Sequence, residues 1–189
     1  MIKSSVVKVL KTPSLLLAII FVILLSAFHQ VMFDGLLLVL FLYFYPLFDR
    51  DFMTDQELIR GRRSEKPWGN VFYARLAGFL LVLVFASISP EFPGNALSIL
   101  LVAAVPEEWF FRYYFQGKLG NDVNAVIISS GLFSCSHALS LTWDAGLMVL
   151  PASLFFGYLY LKTGDLVLVV LLHALSDLWI AWVLRLPGS

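Results

Sequence analysis

Long apolar runs separated by short polar stretches form the dominant pattern along this chain of 189 residues. A helix needs about 20 predominantly apolar residues to cross the hydrocarbon core of a bilayer. By that requirement about seven spans are predicted, at 13–30, 33–48, 70–89, 96–117, 123–141, 145–162 and 166–186. The second run is short, and it is expected to form a helical hairpin with the first around Asp34 and Gly35. The pattern therefore predicts an all-α, polytopic transmembrane helix bundle.

The polar stretches between these runs indicate one domain and an orientation. The only long one, 49–68, is expected to be an amphipathic or irregular loop, so 1–189 is interpreted as a single membrane domain. Lys and Arg lie in alternate loops and are absent from the sequence of the loops at 87–95 and 136–146. The positive-inside rule then predicts a cytoplasmic N-terminus and an external C-terminus. The first apolar run is too long for a cleaved signal peptide, which indicates a retained signal anchor.

Composition supports the same class of protein. Hydrophobic residues make up 60% of the chain and charged residues 14%, whereas soluble domains average about 45–50% and about 25%. The formal net charge is +0, and no run of Lys and Arg is long enough to indicate nucleic-acid binding. The single cysteine, Cys135, excludes an internal disulfide framework and a metal site made only of cysteines.

Ionisable residues inside the apolar runs are the candidates for chemistry. Each costs at least about 2.5–3.5 kcal/mol at the centre of a bilayer on insertion scales, so it needs a partner or a function. Within the fourth run, Glu108 and Arg112 are four residues apart and share a helix face, so they are expected to pair. Glu107 points about 100° away around the helix. A carboxylate held by Arg is a poor base, which makes Glu107 the better candidate for a general base. The alternative is an ion pair within the helix, with the second carboxylate paired to a neighbouring helix.

Two further groups lie in later runs. Phe133 and His137 share a face of the fifth, where a lone histidine is more typical of a hydrogen bond between helices than of catalysis. His173 and Asp177 share a face of the seventh, so Asp177 can accept from one ring nitrogen and leave the other facing a reaction centre. A buried, mutually satisfied His–Asp pair is the alternative interpretation.

These three groups match three motifs in order along the chain. EEWFFR fits Glu-Glu-x-x-x-Arg, FSCSH fits Phe-x-x-x-His, and HALSD fits His-x-x-x-Asn/Asp, with FFGYLYLKTGDL leading into the last histidine. Over residues 96–180 the chain thereby resembles the CPBP family. That family comprises glutamic-type intramembrane proteases related to the Ras-converting CAAX endopeptidase.

The resemblance implies a catalytic chamber inside the membrane, built by the core spans at 96–186, and peptide hydrolysis with no metal or other cofactor. Carried onto this chain, it implies that Glu107 activates a water molecule with help from His137. It also implies that His173 and Asp177 form the oxyanion side of the site. Such a site must admit water and an extended substrate, so a water-filled cavity among the helices is expected.

The resemblance assigns supporting positions to Glu108, Arg112 and Phe133. Asp177 departs from members that carry Asn, because an amide can donate to an oxyanion whereas an ionised carboxylate only accepts. In this chain Asp177 is therefore expected to orient His173, which itself donates, unless the aspartate is protonated.

The expected substrate is a membrane-anchored protein or a lipidated peptide within the lipid bilayer, and not a nucleic acid. A C-terminal sorting signal, a prenylated CAAX-type tail and a peptide precursor all fit, and a protease of a bacterial cytoplasmic membrane is slightly favoured. A zinc-dependent intramembrane protease is one alternative, although the sequence has no His-Glu-x-x-His helix. A non-enzymatic membrane protein, such as an immunity or binding protein, is another. A cysteine protease is disfavoured because Cys135 and His137 point to different helix faces.

Overall fold

The structure is a computed structural model, and it describes residues 2–28, 35–49, 73, 75–82, 96–120 and 122–183. These residues form helices joined by short turns, and no strand occurs among them. In chain order the helices are α1 Ile2–Lys11, α2 Pro13–Ala27, α3 Leu36–Phe48, α4 75–82, α5 96–119, α6 Val123–Ser140, α7 Trp143–Thr163 and α8 Leu166–Val183. The all-α prediction is confirmed for this part of the chain.

The predicted number of spans is only partly matched. In the described ranges, α6, α7 and α8 are the 3 helices long and apolar enough to cross a membrane, while α2 and α3 are shorter apolar helices. The prediction of about seven spans is thus not confirmed. Most of the expected span at 70–89, the loop at 87–95 and all but the first residue of the stretch 49–68 lie outside the described residues, as does Asp34 of the expected hairpin.

Helix α5 occupies the centre of the bundle. Its buried aromatic side chains pack against α2 and α3 on one side and α6 on another, while α8 packs along its first half. The buried aromatics on α5 are Phe110, Phe111, Tyr114 and Phe115. On α2, Leu15, Ala18 and Val22 recur at helical spacing and are fully buried, so α2 presents one apolar face to this core.

Two segments of α5, Ile99–Ala104 and Trp109–Gln116, are π-helical, and Pro106 lies in the short α-helical turn between them. In a π turn each backbone N–H reaches the carbonyl five residues earlier, and proline has no N–H to supply. Pro106 therefore leaves the Leu101 carbonyl without that partner, and the Tyr43 hydroxyl of α3 donates to it instead. The Trp109 indole N–H in turn donates to the Tyr43 carbonyl at 3.2 Å. Tyr43 thus ties α3 to both sides of the turn that carries the two glutamates.

The turn between α7 and α8 determines where α8 begins. Gly164 ends α7 in a left-handed conformation with φ 65°, which glycine adopts without a steric penalty. Asp165 then caps α8 by accepting from the Leu168 N–H at 3.1 Å. Its other carboxylate oxygen accepts from the Arg75 Nε of α4 at 2.6 Å. Because α8 carries His173 two turns later, these contacts fix the position of that histidine relative to α4 and α7.

Candidate active site

Glu108 joins α5 to α8 through both of its carboxylate oxygens. Its Oε2 accepts from Arg112 Nε at 2.9 Å, and its Oε1 lies 2.8 Å from His173 Nδ1. The side chains of Glu108 and Arg112 are fully buried, and the pair predicted from their spacing is confirmed. A carboxylate paired with Arg only accepts hydrogen bonds, so His173 must carry its proton on Nδ1.

Arg112 has two further neighbours around its guanidinium group. Its Nη2 donates to the Ser153 hydroxyl of α7 at 2.8 Å. Its Cζ lies 5.5 Å from the centroid of the Phe133 ring on α6, within the range of a cation–π contact. Three helices therefore enclose a charge that would otherwise be costly to bury.

Glu107 differs sharply from its neighbour Glu108. Its side chain is 18% exposed, and its Oε2 lies 3.7 Å from His173 Nε2, beyond hydrogen-bond distance. Among the described residues it makes no hydrogen bond through its carboxylate. Glu107 is therefore a partly accessible carboxylate near a histidine, and neither of its oxygens accepts a hydrogen bond from the described residues.

His173 lies among two aromatic rings and three carboxylates. The Phe156 ring of α7 is stacked on it at 5.5 Å, and the Phe133 ring meets it edge-on at 6.2 Å. Its Nε2 faces Asp177 Oδ2 at 3.4 Å, and the Asp177 side chain is 33% exposed. The nearest carboxylate to the imidazole is that of Glu108 rather than Asp177, which sequence spacing had suggested as the group that orients this ring.

His137 has a defined tautomer when it is neutral. Its Nδ1 lies 3.1 Å from the carbonyl oxygen of Phe133, and a carbonyl can only accept. Nδ1 therefore carries the proton, and Nε2 keeps a lone pair. The ring packs on Phe133 with centroids 4.4 Å apart and is close enough to Glu107 to interact with it electrostatically.

The three sequence motifs thus meet at one place in the bundle. The Phe133 ring contacts the imidazoles of both His137 and His173, and the two glutamates approach from α5. Residues 77–179 match the model of the Rce1-like family, described as type II CAAX prenyl endopeptidase Rce1-like, over more than half of the chain. The chain belongs to this family. No curated protein and no solved structure matches the chain.

Family membership confirms the resemblance to the CPBP proteases, and it identifies the chain as a peptide hydrolase. Together with the apolar helices α6, α7 and α8, it identifies an integral membrane protein. The matched residues include the whole region of the three motifs. In the described part of the chain, no group of three or more His, Cys, Asp and Glu side chains is arranged to hold a metal ion.

Sequence reasoning missed the contribution of α7 to the site, because none of the three motifs lies on this helix and the stretch FFGYLYLKTGDL was used only as part of the resemblance. Ser153 contacts Arg112, Phe156 stacks on His173, and Gly157 lies where a Cβ would be 3.5 Å from Arg112 Nη1. Positions 153 and 157 are one helical turn apart, and although Gly157 lies in the quoted stretch FFGYLYLKTGDL, the sequence assigned no role to either of them. Their contacts with α5 cross about forty residues of sequence, so no local spacing could indicate them.

Proposed function

We propose that this protein is a glutamic-type intramembrane endopeptidase in which Glu107 is the general base. The observation that carries the proposal is the unequal engagement of two adjacent carboxylates. Glu108 has both oxygens bonded, to Arg112 and to His173, at 2.9 and 2.8 Å. Glu107 is partly exposed and lies 3.7 Å from the same histidine. A base must have an oxygen available to a water molecule, and Glu107 meets that condition.

His137 supports the base in this mechanism. With its Nδ1 proton directed at the Phe133 carbonyl, its Nε2 lone pair can accept one hydrogen of the water. Glu107 accepts the other hydrogen as the water oxygen attacks the peptide carbonyl carbon. The proton held by Glu107 then passes to the amide nitrogen as the carbon–nitrogen bond breaks, which releases an amine and a carboxylic acid.

His173 has the complementary role of donor to the oxyanion. Glu108 holds its Nδ1 proton, so protonation of Nε2 produces an imidazolium aimed at the side where Glu107 and Asp177 lie. A fixed cationic donor of this kind stabilises the negative charge on the tetrahedral intermediate. Asp177 Oδ2, at 3.4 Å from Nε2, places a negative charge beside that imidazolium. Glu108 and Arg112 support His173, and the Phe133 ring packs against both imidazoles.

The substrate in this proposal is a peptide tethered to the membrane. The site is built between helices that include three candidate spans, and extended backbone is tolerated at membrane depth only inside protein or a wet cavity. A prenylated C-terminal tail, a C-terminal sorting segment and a precursor peptide all satisfy this condition. We propose residues 96–186 as the catalytic core, and a bacterial cytoplasmic membrane with the N-terminus in the cytoplasm as the setting.

Purified protein in liposomes, mixed with synthetic peptides, tests the proposal. The peptides share one sequence and carry a prenyl group, an apolar helix or no anchor, and mass spectrometry detects the products. Cleavage of an anchored peptide is expected, with kcat reduced about 10²- to 10⁴-fold by Glu107→Gln. Cys135→Ala is the matched control, because this thiol is exposed and free, and it should retain full activity.

Two outcomes would replace the proposal. Complete loss of cleavage on chelation with recovery on adding zinc would establish a metalloprotease and remove the metal-free mechanism. A wild-type protein that cleaves none of the peptides, and whose biological activity survives Glu107→Ala, would establish a binding protein instead.

A further inference from the structure

We infer that Ser153 is a positioning residue, whose hydroxyl fixes the Arg112 guanidinium and thereby the imidazole of His173. The inference rests on the proposed function, in which His173 donates to the oxyanion. Ser153 belongs to none of the three motifs and lies on α7, which carries no proposed catalytic group. Its effect on the reaction is exerted entirely through other side chains.

The connection from Ser153 to His173 is a continuous chain of short contacts. The Ser153 hydroxyl accepts from Arg112 Nη2 at 2.8 Å, and Arg112 Nε donates to Glu108 at 2.9 Å. The other oxygen of Glu108 accepts from His173 Nδ1 at 2.8 Å. Each group in this chain is at most 8% exposed. A change in the direction of one contact is therefore transmitted to the next, since water has little access to replace it.

Ser153 matters to this chain because the guanidinium group is planar. Hydrogen bonds through Nε and Nη2 to two different helices define the orientation of that plane. Among the described residues, Arg112 Nη1 has no hydrogen-bond partner, so it adds no third constraint. Without the Ser153 hydroxyl, Glu108 would be the only hydrogen-bond partner left to direct the plane, and the carboxylate could tilt away from His173.

The backbone of α7 is held close enough to make this contact rigid. A Cβ at Gly157, one turn after Ser153, would lie 3.0 Å from Val126 Cγ1 and 3.1 Å from Gln116 Oε1. Gln116 Nε2 also donates to the Gly157 carbonyl at 3.0 Å. The glycine therefore permits α7 to approach α5, and the bond from Gln116 fixes the helix at that distance. Ser153 is presented to Arg112 from a fixed position.

The test compares three variants in the peptide-cleavage assay. Ser153→Ala should lower kcat about 10- to 100-fold, as expected for a misplaced catalytic group, and leave KM unchanged, because no contact with substrate is removed. Ser153→Thr, which keeps the hydroxyl, should have a higher kcat than the alanine variant. Ser129→Ala is the matched control. Its hydroxyl is equally buried and also bonds to α5, at 2.7 Å, but to the backbone carbonyl of Phe111.

Ser129→Ala should resemble Ser153→Ala in unfolding temperature and the wild type in kcat. Wild-type kcat in Ser153→Ala, or an equal loss of kcat in both alanine variants, would overturn the inference. If Ser153→Ala cannot be purified folded, Ser153→Cys decides, because it preserves the volume but offers only a weak acceptor. A wild-type kcat in that variant would also overturn it. Failure of the proposed function is distinguishable, since Glu107→Gln would then remain active.

Discussion

Replacing Glu108 by Gln should separate a structural carboxylate from Glu107, the proposed catalytic one. Glu108 is fully buried and contacts two donors, Arg112 Nε and His173 Nδ1. Glutamine keeps the shape but loses the charge, and its amide nitrogen presents hydrogens to one of those donors. The variant therefore leaves the Arg112 charge buried with no counter-charge in contact. Glu107→Gln makes the same chemical change at the adjacent residue, whose side chain is 18% exposed.

The expected loss for Glu108→Gln is about 3–5 kcal/mol, the usual cost of removing one partner of a buried ion pair. Glu107→Gln removes no hydrogen bond from the described residues, so its cost should stay within about 0.5 kcal/mol. At about 2–4 °C of unfolding temperature per kcal/mol for a chain of this length, the midpoint should fall by about 6–20 °C for Glu108→Gln. It should stay nearly unchanged for Glu107→Gln.

Thermal unfolding of the purified variants in one detergent, followed by tryptophan fluorescence, measures this difference. Both variants should lose peptide cleavage, but only Glu107→Gln should lose it while keeping the wild-type unfolding temperature. The double variant Glu108→Gln/Arg112→Met removes both charges and should regain much of the stability without activity. Equal midpoints for the two single variants would refute the reasoning, because they would show that the Arg112 charge does not depend on Glu108.

Three further substitutions test other contacts. Asp177→Asn should lower kcat, because it removes the negative charge 3.4 Å from His173 Nε2, the proposed oxyanion donor; a wild-type or higher kcat would show that the amide itself serves as a donor. Gly146→Ala should lower the unfolding temperature, since its Cβ would lie 2.7 Å from the Ala138 Cβ and overpacking costs about 1–3 kcal/mol. An unchanged midpoint would show that α6 and α7 separate freely. Asp49 should make stability depend on pH. Burial raises the pKa of its carboxyl, but hydrogen bonds, first that from Lys118, outweigh burial and hold the pKa below 3.8. Its ionised form therefore stabilises the fold above about pH 4, and the contribution is lost as pH falls. Acidification should lower the unfolding temperature of Asp49→Asn less than that of the wild type, and equal losses would contradict this role.

The sequence pattern was enough to predict the three long apolar helices α6, α7 and α8 and the pairing of Glu108 with Arg112, although the prediction of about seven spans is not confirmed. The predicted spans 123–141, 145–162 and 166–186 correspond to α6, α7 and α8 within a few residues, since a continuous apolar run requires a helix in lipid. The pair of Glu108 and Arg112 followed from the i, i+4 geometry of one helix. These predictions depend only on residues that are close to one another in the sequence.

Contacts between helices could not be predicted in this way. Glu108 and His173 are 65 residues apart, and nothing in either motif indicates which carboxylate reaches which ring nitrogen. Spacing predicted Asp177 as the partner because it is on the same helix, but its oxygen lies 3.4 Å from Nε2, farther than the 2.8 Å between Glu108 and Nδ1. The π-helical turns of α5 were also not predicted, because the spacing rules assume α-helical geometry throughout.

The energetic cost of burying a charge identifies which residues are important, but it does not distinguish their roles. Glu107 and Glu108 are adjacent and equally unfavourable in an apolar run, so the cost alone ranks them together. The hydrogen bonds that each makes separate them, because both oxygens of Glu108 are already held by Arg112 and His173 in a fully buried site. In a membrane-embedded site of this kind, the well-partnered charge stabilises the fold. The carboxylate that makes no hydrogen bond within the described residues is the better candidate for reaction, and we propose that in this chain it is Glu107.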